Sequence, residues 1–180
     1  MFDLTTKNWS TLAPAPEPTR GGTALAPVHL NGTPVLLRFG GWAFSLSPRL
    51  ATVAPLMLPY LAGFAGEELG TFDIYDTRDD SWRIVVPVPD PQHGSPGQRA
   101  VHGFVPFVSP RYPRALALLY HGERSPSALG HAGAGEFWDD VWLLEAGSEG
   151  EPELAWKHVP VPGDTCACST RVVPLCFMGA

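Results

Sequence analysis

The sequence predicts an all-β fold assembled from repeated strand units, and three observations predict it. Trp9, Trp82 and Trp156 stand 73 and 74 residues apart, each closing a copy of one pattern. The chain holds 20 Pro and 19 Gly in 180 residues, and no stretch keeps a helical period between caps. Short apolar runs alternate with Gly or Pro turns, which is how strands are punctuated. A long period with strand-sized pieces inside it is the mark of a repeat architecture.

Each copy can be read element by element. Phe2-Asp3 and Tyr75-Asp76 precede the first two tryptophans, with the Asp six residues upstream of its Trp; the third copy has Leu144-Glu145 and five extra residues before Trp156. Pro-rich stretches follow, Pro14–Pro18 and Pro87–Pro91, and these read as crossings because Pro cannot pair inside a sheet. Next come Arg-led runs from Arg20 and Arg99, then apolar strands ending at Gly40-Gly41 and His121-Gly122. A Gly at such a turn supplies positive φ and lets backbones approach. Antiparallel strands are therefore expected near 20–28, 33–40, 71–76, 80–86, 98–108, 114–121, 139–145 and 154–159. Two insertions lengthen the copies: an apolar one over 43–70, read as a loop or short helical excursion, and a polar Gly-rich loop over 123–135.

In order, Gly40-Gly41, Tyr75-Asp76, Trp82 and Arg99 with His102 resemble a kelch repeat, and 136–142 looks like that family's lead into a third strand. The second copy departs from the pattern at His121-Gly122 and Leu144-Glu145. The resemblance implies an incomplete kelch-type β-propeller with about two full four-stranded blades plus partial flanking strands. Residues 1–160 would form it, with blades at about 17–86 and 96–159, before a divergent, irregular tail over 161–180. Kelch repeats run about 50 residues and closed propellers use about 4–8 blades, so the chain reads as part of a propeller. A Trp on the outer strand is expected to fill the gap to the neighbouring blade, which places Trp82 between the two.

Charge and composition exclude several classes. The net charge is −6 with no basic block, which argues against nucleic acid. The apolar run over 50–60 is too short for a membrane span and carries two prolines. No apolar leader follows Met1, and the first 165 residues hold no Cys, so a cytoplasmic location is expected and the triplets at Asn8 and Asn31 are read as chance. Cys166, Cys168 and Cys176 with His158 have spacings of 8, 2 and 8, which match no standard zinc site.

The candidate ligand or partner contacts are Arg20, Arg99, His102, Trp42, His121, Glu123 and His131. By the resemblance, the Arg of each repeat sits near the start of an inner strand at the rim of a central channel, where it would meet an anionic or peptide ligand. The favoured structural role is different: the Arg donates to carbonyls of neighbouring blade loops. The loop over 129–136 looks like a phosphate cradle, but no Lys-Ser/Thr follows it. Some kelch proteins resemble nitrile-specifier proteins, whose ferrous-iron pattern is Glu, Asp and His at four-residue steps. Glu136 and Asp140 fit the first two places, but Leu144 stands in the third. No catalytic residue and no cofactor is assigned, Fe2+ being the alternative. The expected function is a protein-interaction scaffold, with an iron-dependent nitrile-specifier-like enzyme or a non-functional propeller remnant as alternatives. The expected partner is a protein bound by the loops, with self-association through open blade faces.

Overall fold

A computed structural model describes residues 1–44, 66–125, 133, 135–148 and 150–161. Its regular elements are strands, in chain order β1 (Arg20–Gly21), β2 (Ala24–Leu30), β3 (Thr33–Phe39), β4 (Trp42–Phe44), β5 (Gly66–Glu68), β6 (Phe72–Asp76), β7 (Ser81–Val85), β8 (Gly103–Pro106), β9 (Ala115–Tyr120), β10 (Glu123–Ser125), β11 (Glu136–Phe137), β12 (Val141–Ala146) and β13 (Leu154–His158). Seven of the eight expected strands each overlap one of these, and the expected strand over 20–28 is divided between β1 and β2. Among the described residues no helix is long and apolar enough to cross a membrane.

Two four-stranded antiparallel sheets carry the fold, in the orders β2-β3-β6-β7 and β8-β9-β12-β13. Both therefore run through sequence in the same way, each strand pairing with its successor. Asn31 and Gly32 close the β2–β3 hairpin with φ of 51° and 76°, the geometry that two-residue turns between right-twisted strands require. Between the second and third strands each sheet carries a smaller ribbon, β4-β5 in the first copy and β10-β11 in the second, and β1, which precedes β2, joins the first ribbon beside β4. The bases of both insertions are thus strands rather than loop. The apolar run over 50–60 lies outside the described residues, as does nearly all of the tail over 161–180.

Side-chain alternation decides what the sheets bury. One face of the first sheet presents Val28, Leu37, Phe39, Phe72 and Ile74; the second answers with Phe104, Leu119, Trp142, Leu144 and Trp156, all buried in one cluster. Burying each of these large side chains stabilises the fold by roughly 1.5–3 kcal/mol. Trp156 anchors the cluster, with its ring 5.3 Å from Phe39 and 6.0 Å from Phe72, both edge-on. Exposed Arg83 and Glu153 pair across the seam at 2.7 Å. The Pro-rich crossing also joins the sheets: Val88 accepts from Trp156 N at 2.8 Å and donates to Leu154 O at 2.9 Å.

Trp82 does not sit between the sheets. Tyr75 and Trp82 pair on the opposite face of the first sheet, with rings 5.1 Å apart. There Trp82 donates to Ala13 O at 3.1 Å, under the N-terminal segment. Trp82 and Trp156 nevertheless point the same way, each toward the N-terminal side of its own sheet. Residues 2–9 form no full strand, only a Phe2–Trp9 bridge. Over 98–108 only the four residues of β8 are regular, because the preceding residues make a crossing that pairs with turn and ribbon residues of both copies.

Candidate functional site

The crossing at 99–101 is where turn and ribbon backbone of the two copies meets. Arg99 N donates to Leu69 O at 3.2 Å, and Arg99 O accepts from Gly41 N at 2.8 Å. Ala100 exchanges two hydrogen bonds with Glu123, at 2.9 and 2.8 Å, and Val101 N donates to Gly22 O at 2.8 Å. Backbone from the first copy thus lies on one side of this strip and backbone from the second on the other. The strip and the turn beside it hold unusual backbone: Val101 in the strip has a φ of 51° and His121 in the turn a φ of 54°. For a β-branched residue such as Val101 this is an outlier that surrounding bonds must enforce.

The Arg99 side chain is fully buried. Its Nη1 and Nη2 hold both oxygens of Asp140 at 2.6 and 2.9 Å, Nη1 also donates to His121 O at 2.9 Å, and Nε donates to Gly97 O at 3.0 Å. A planar fork on a carboxylate is the strongest ordinary ion-pair geometry. Trp142 Nε1 adds a third donor to Asp140 at 2.7 Å. Burial of Asp140 opposes its ionisation, but the bonds from Arg99 and Trp142 outweigh it and hold the carboxyl below its usual range. Trp138 stacks beneath Arg99, 5.1 Å from the guanidinium carbon, and Arg124 lies over the same ring at 5.4 Å.

His102 is buried beside the strip, its ring 5.5 Å from Phe39 and edge-on to it. Neither of its nitrogens has a hydrogen-bond partner among the described residues. Burial first, and the Arg99 charge second, push its pKa down to about 4, so the ring is neutral near pH 7. Gly40 and Gly122 let it sit there: both have positive φ, and a Cβ on either would strike His102 and the backbone of the strip.

The first copy carries its own buried cluster. Arg20 Nη2 and Arg38 Nη2 each lie 2.9 Å from Asp73 Oδ2, all three side chains being nearly or fully buried. Arg20 also reaches Gly40 O at 3.3 Å and Thr71 O at 3.4 Å. Burial pulls the Arg20 pKa down while Asp73 opposes the fall. Arg38 donates to Pro16 O at 3.1 Å and lies over the Trp82 ring at 4.9 Å. Two cations share one carboxylate here, and Asp73 Oδ1 and Arg20 Nε have no hydrogen-bond partner among the described residues. A depression of about 480 Å³ lined by Glu17, Pro18, Thr19, Arg20, Gly21 and Trp42 opens beside this cluster.

The sequence candidates divide accordingly. Arg99, His102, the His121 backbone and the Glu123 backbone meet at the strip; Arg20 and Trp42 flank the depression; His131 lies outside the described residues. Both arginines donate to carbonyls of neighbouring turns. Asp73, Arg38 and Trp138 are the site residues that sequence reasoning did not single out. The Asp73 signal was available, a charge inside an otherwise apolar strand. Asp140, weighed as an iron ligand, is the partner of Arg99, while Glu136 pairs with Arg124 at 2.7 Å. Among the described residues no group of three His, Cys, Asp or Glu is arranged to hold a metal ion.

No family model matches the chain, and no curated protein matches it either.

Proposed function

We propose that the two sheets are successive blades of a kelch-type propeller and that the chain is a protein-interaction scaffold. The observation that carries this reading is the strip at 99–101. It ties Gly41 and Leu69 of one copy to Glu123 of the next by main-chain hydrogen bonds. Buried charges then lock it from below. A rigid base of this kind suits binding by the segments that leave it, because loops on a fixed scaffold bind at low ordering cost. Those segments are the insertions whose bases are β4–β5 and β10–β11, together with the rim at Trp42. The cytoplasm is the compartment this reading favours, on the Cys-free body of the chain.

The test replaces 45–65 and 126–134 by short Gly-Ser turns in the full chain. The expected outcome is an unchanged melting temperature, with loss of the proteins that wild-type bait enriches from its own cells by quantitative capture. Equal enrichment by both proteins would overturn the scaffold reading. Metal analysis of protein prepared without chelator separates it from the iron-dependent alternative: stoichiometric tightly bound iron would favour the enzyme.

A further inference from the structure

We infer that the outer edge of the first sheet, strand β7, takes up an extended apolar peptide segment as a further strand, through main-chain hydrogen bonds to Trp82 and Ile84. The two sheets differ at this edge. Each ends on its Trp-bearing strand, β7 in the first and β13 in the second. In the second sheet the crossing closes the edge. Val88 bridges Ala155 in parallel, donating from its N to Leu154 O at 2.9 Å and accepting at its O from Trp156 N at 2.8 Å. Asp90 Oδ2 accepts from His158 N at 3.2 Å. Leu154, Trp156 and His158 thus turn main-chain groups outward, as alternate residues of an edge strand do.

The register carries this over to β7. Trp82 lies opposite Tyr75 as Trp156 lies opposite Leu144. Trp82 and Ile84 therefore turn N–H and C=O to the edge, as Trp156 and His158 do in the second sheet. Neither makes a main-chain hydrogen bond to a described residue outside its own sheet. Ala15 stands six residues after Trp9, as Val88 stands six after Trp82. Yet Ala15 is exposed and bridges no strand. Its segment is held through side chains instead: Asp80 Oδ1 accepts from Ala13 N at 2.8 Å, and Trp82 Nε1 donates to Ala13 O at 3.1 Å.

The segment that closes β13 describes the occupant of β7. Val88 stands between Pro87 and Pro89, so a single residue with an N–H suffices for a parallel bridge. Beside the β7 edge Ile84 is 60% exposed and Val86 87% exposed. An extended segment with apolar side chains, and with Pro on either side of its pairing residue, matches both features. Backbone bonds hold such a strand and its side chains set the preference. The pairing residue lies opposite Arg83, donating to Trp82 O and accepting from Ile84 N. The inference goes beyond the scaffold reading, since it stands on the sheet edge whether or not the insertions bind.

Amide exchange on the full chain tests it, with a blocked Val-Pro-Val-Pro peptide, the sequence of Val86–Pro89, as the probe. In the protein alone the Ile84 amide should exchange about 100-fold faster than the Trp156 amide. Millimolar peptide should slow exchange at Ile84 about three-fold or more and leave Trp156 unchanged. Ile84→Pro removes the outward N–H and keeps the ladder, so it should melt as wild type does. It should also no longer broaden the peptide's resonances. A peptide N-methylated at its second Val should fail to bind the wild-type protein, and this comparison decides the matter if Ile84→Pro unfolds. A protected Ile84 amide in the protein alone, no protection on adding peptide, binding retained by folded Ile84→Pro, or equal binding of the N-methylated peptide would each overturn the inference.

Discussion

Trp156 stands perpendicular to Phe72, with ring centroids 6.0 Å apart and an interplanar angle of 90°. Edge-to-face rings gain about 0.5–1.5 kcal/mol beyond the area they bury. Phe39 takes the same ring on a second side, so one indole holds two strands of the opposite sheet. Trp82, its counterpart in the first copy, has only the cover of the N-terminal segment.

The first prediction follows from that contrast. Trp156→Ala should cost about 3–5 kcal/mol, because it opens a cavity between two sheets. Trp82→Ala should cost about 1–2 kcal/mol, the loss of one hydrogen bond and one cation–π contact at a half-buried position. Urea denaturation midpoints give both values, and equal losses would show that the seam is not centred on Trp156.

The strand plan was legible in the sequence because alternation and turn residues are local. Gly40-Gly41, Tyr75 and the Arg-led runs mark where strands stop and start without reference to anything distant. The side of the sheet on which a neighbour lies is not local. Tyr75-Trp82 and Leu144-Trp156 read alike, yet only the second pair meets another sheet, since the matching face of the first meets residues 13–16. The partner of Arg99 was hidden for the same reason. Asp140 comes 41 residues later, and only the fold brings the two together. Asp73 left a local signal, a charge set between Phe72 and Ile74, but its burial and its partners Arg20 and Arg38 come only from the fold.

Arg99 and Asp140 give the second prediction. Asp140→Ala leaves a guanidinium buried without its anion and should cost about 3–5 kcal/mol. Arg83→Ala removes an exposed pair across the same seam and should cost less than about 1 kcal/mol. Thermal melts of the two variants are the measurement. A double replacement, Arg99→Met with Asp140→Leu, should recover part of the first loss, since hydrophobic isosteres often substitute for a buried pair.

The glycines of the strip give the third. Gly40→Ala places a methyl group against Arg99 O, with φ at +60°, while Gly32→Ala meets nothing within 4 Å at a φ of +76°. Gly32→Ala should therefore show only the left-handed strain of about 1–2 kcal/mol. Gly40→Ala should add displacement of the crossing and cost clearly more. Faster hydrogen exchange at the Gly41 and Ala100 amides in Gly40→Ala, but not in Gly32→Ala, would report the displaced crossing directly.

The last prediction concerns acid. His102 is neutral in the folded protein, with its pKa pushed down to about 4 by burial and then by Arg99. In the unfolded chain it titrates near 6.5. The unfolded state therefore binds the extra proton first. The stability contribution of the neutral ring is fully present above about pH 6.5 and is lost as the pH falls toward 4. The loss over that window should be up to about 3 kcal/mol. Asp140, held below its usual range, is lost only at still lower pH, so the two effects separate along the pH axis. His102→Leu, similar in bulk and without a titrating group, should flatten the melting-temperature profile between pH 6.5 and 4 while leaving the steep fall below pH 4 in place. A profile equally steep with and without the imidazole would mean that His102 is protonated in the folded state, and that its place between Gly40 and Gly122 is wetter than the packing describes.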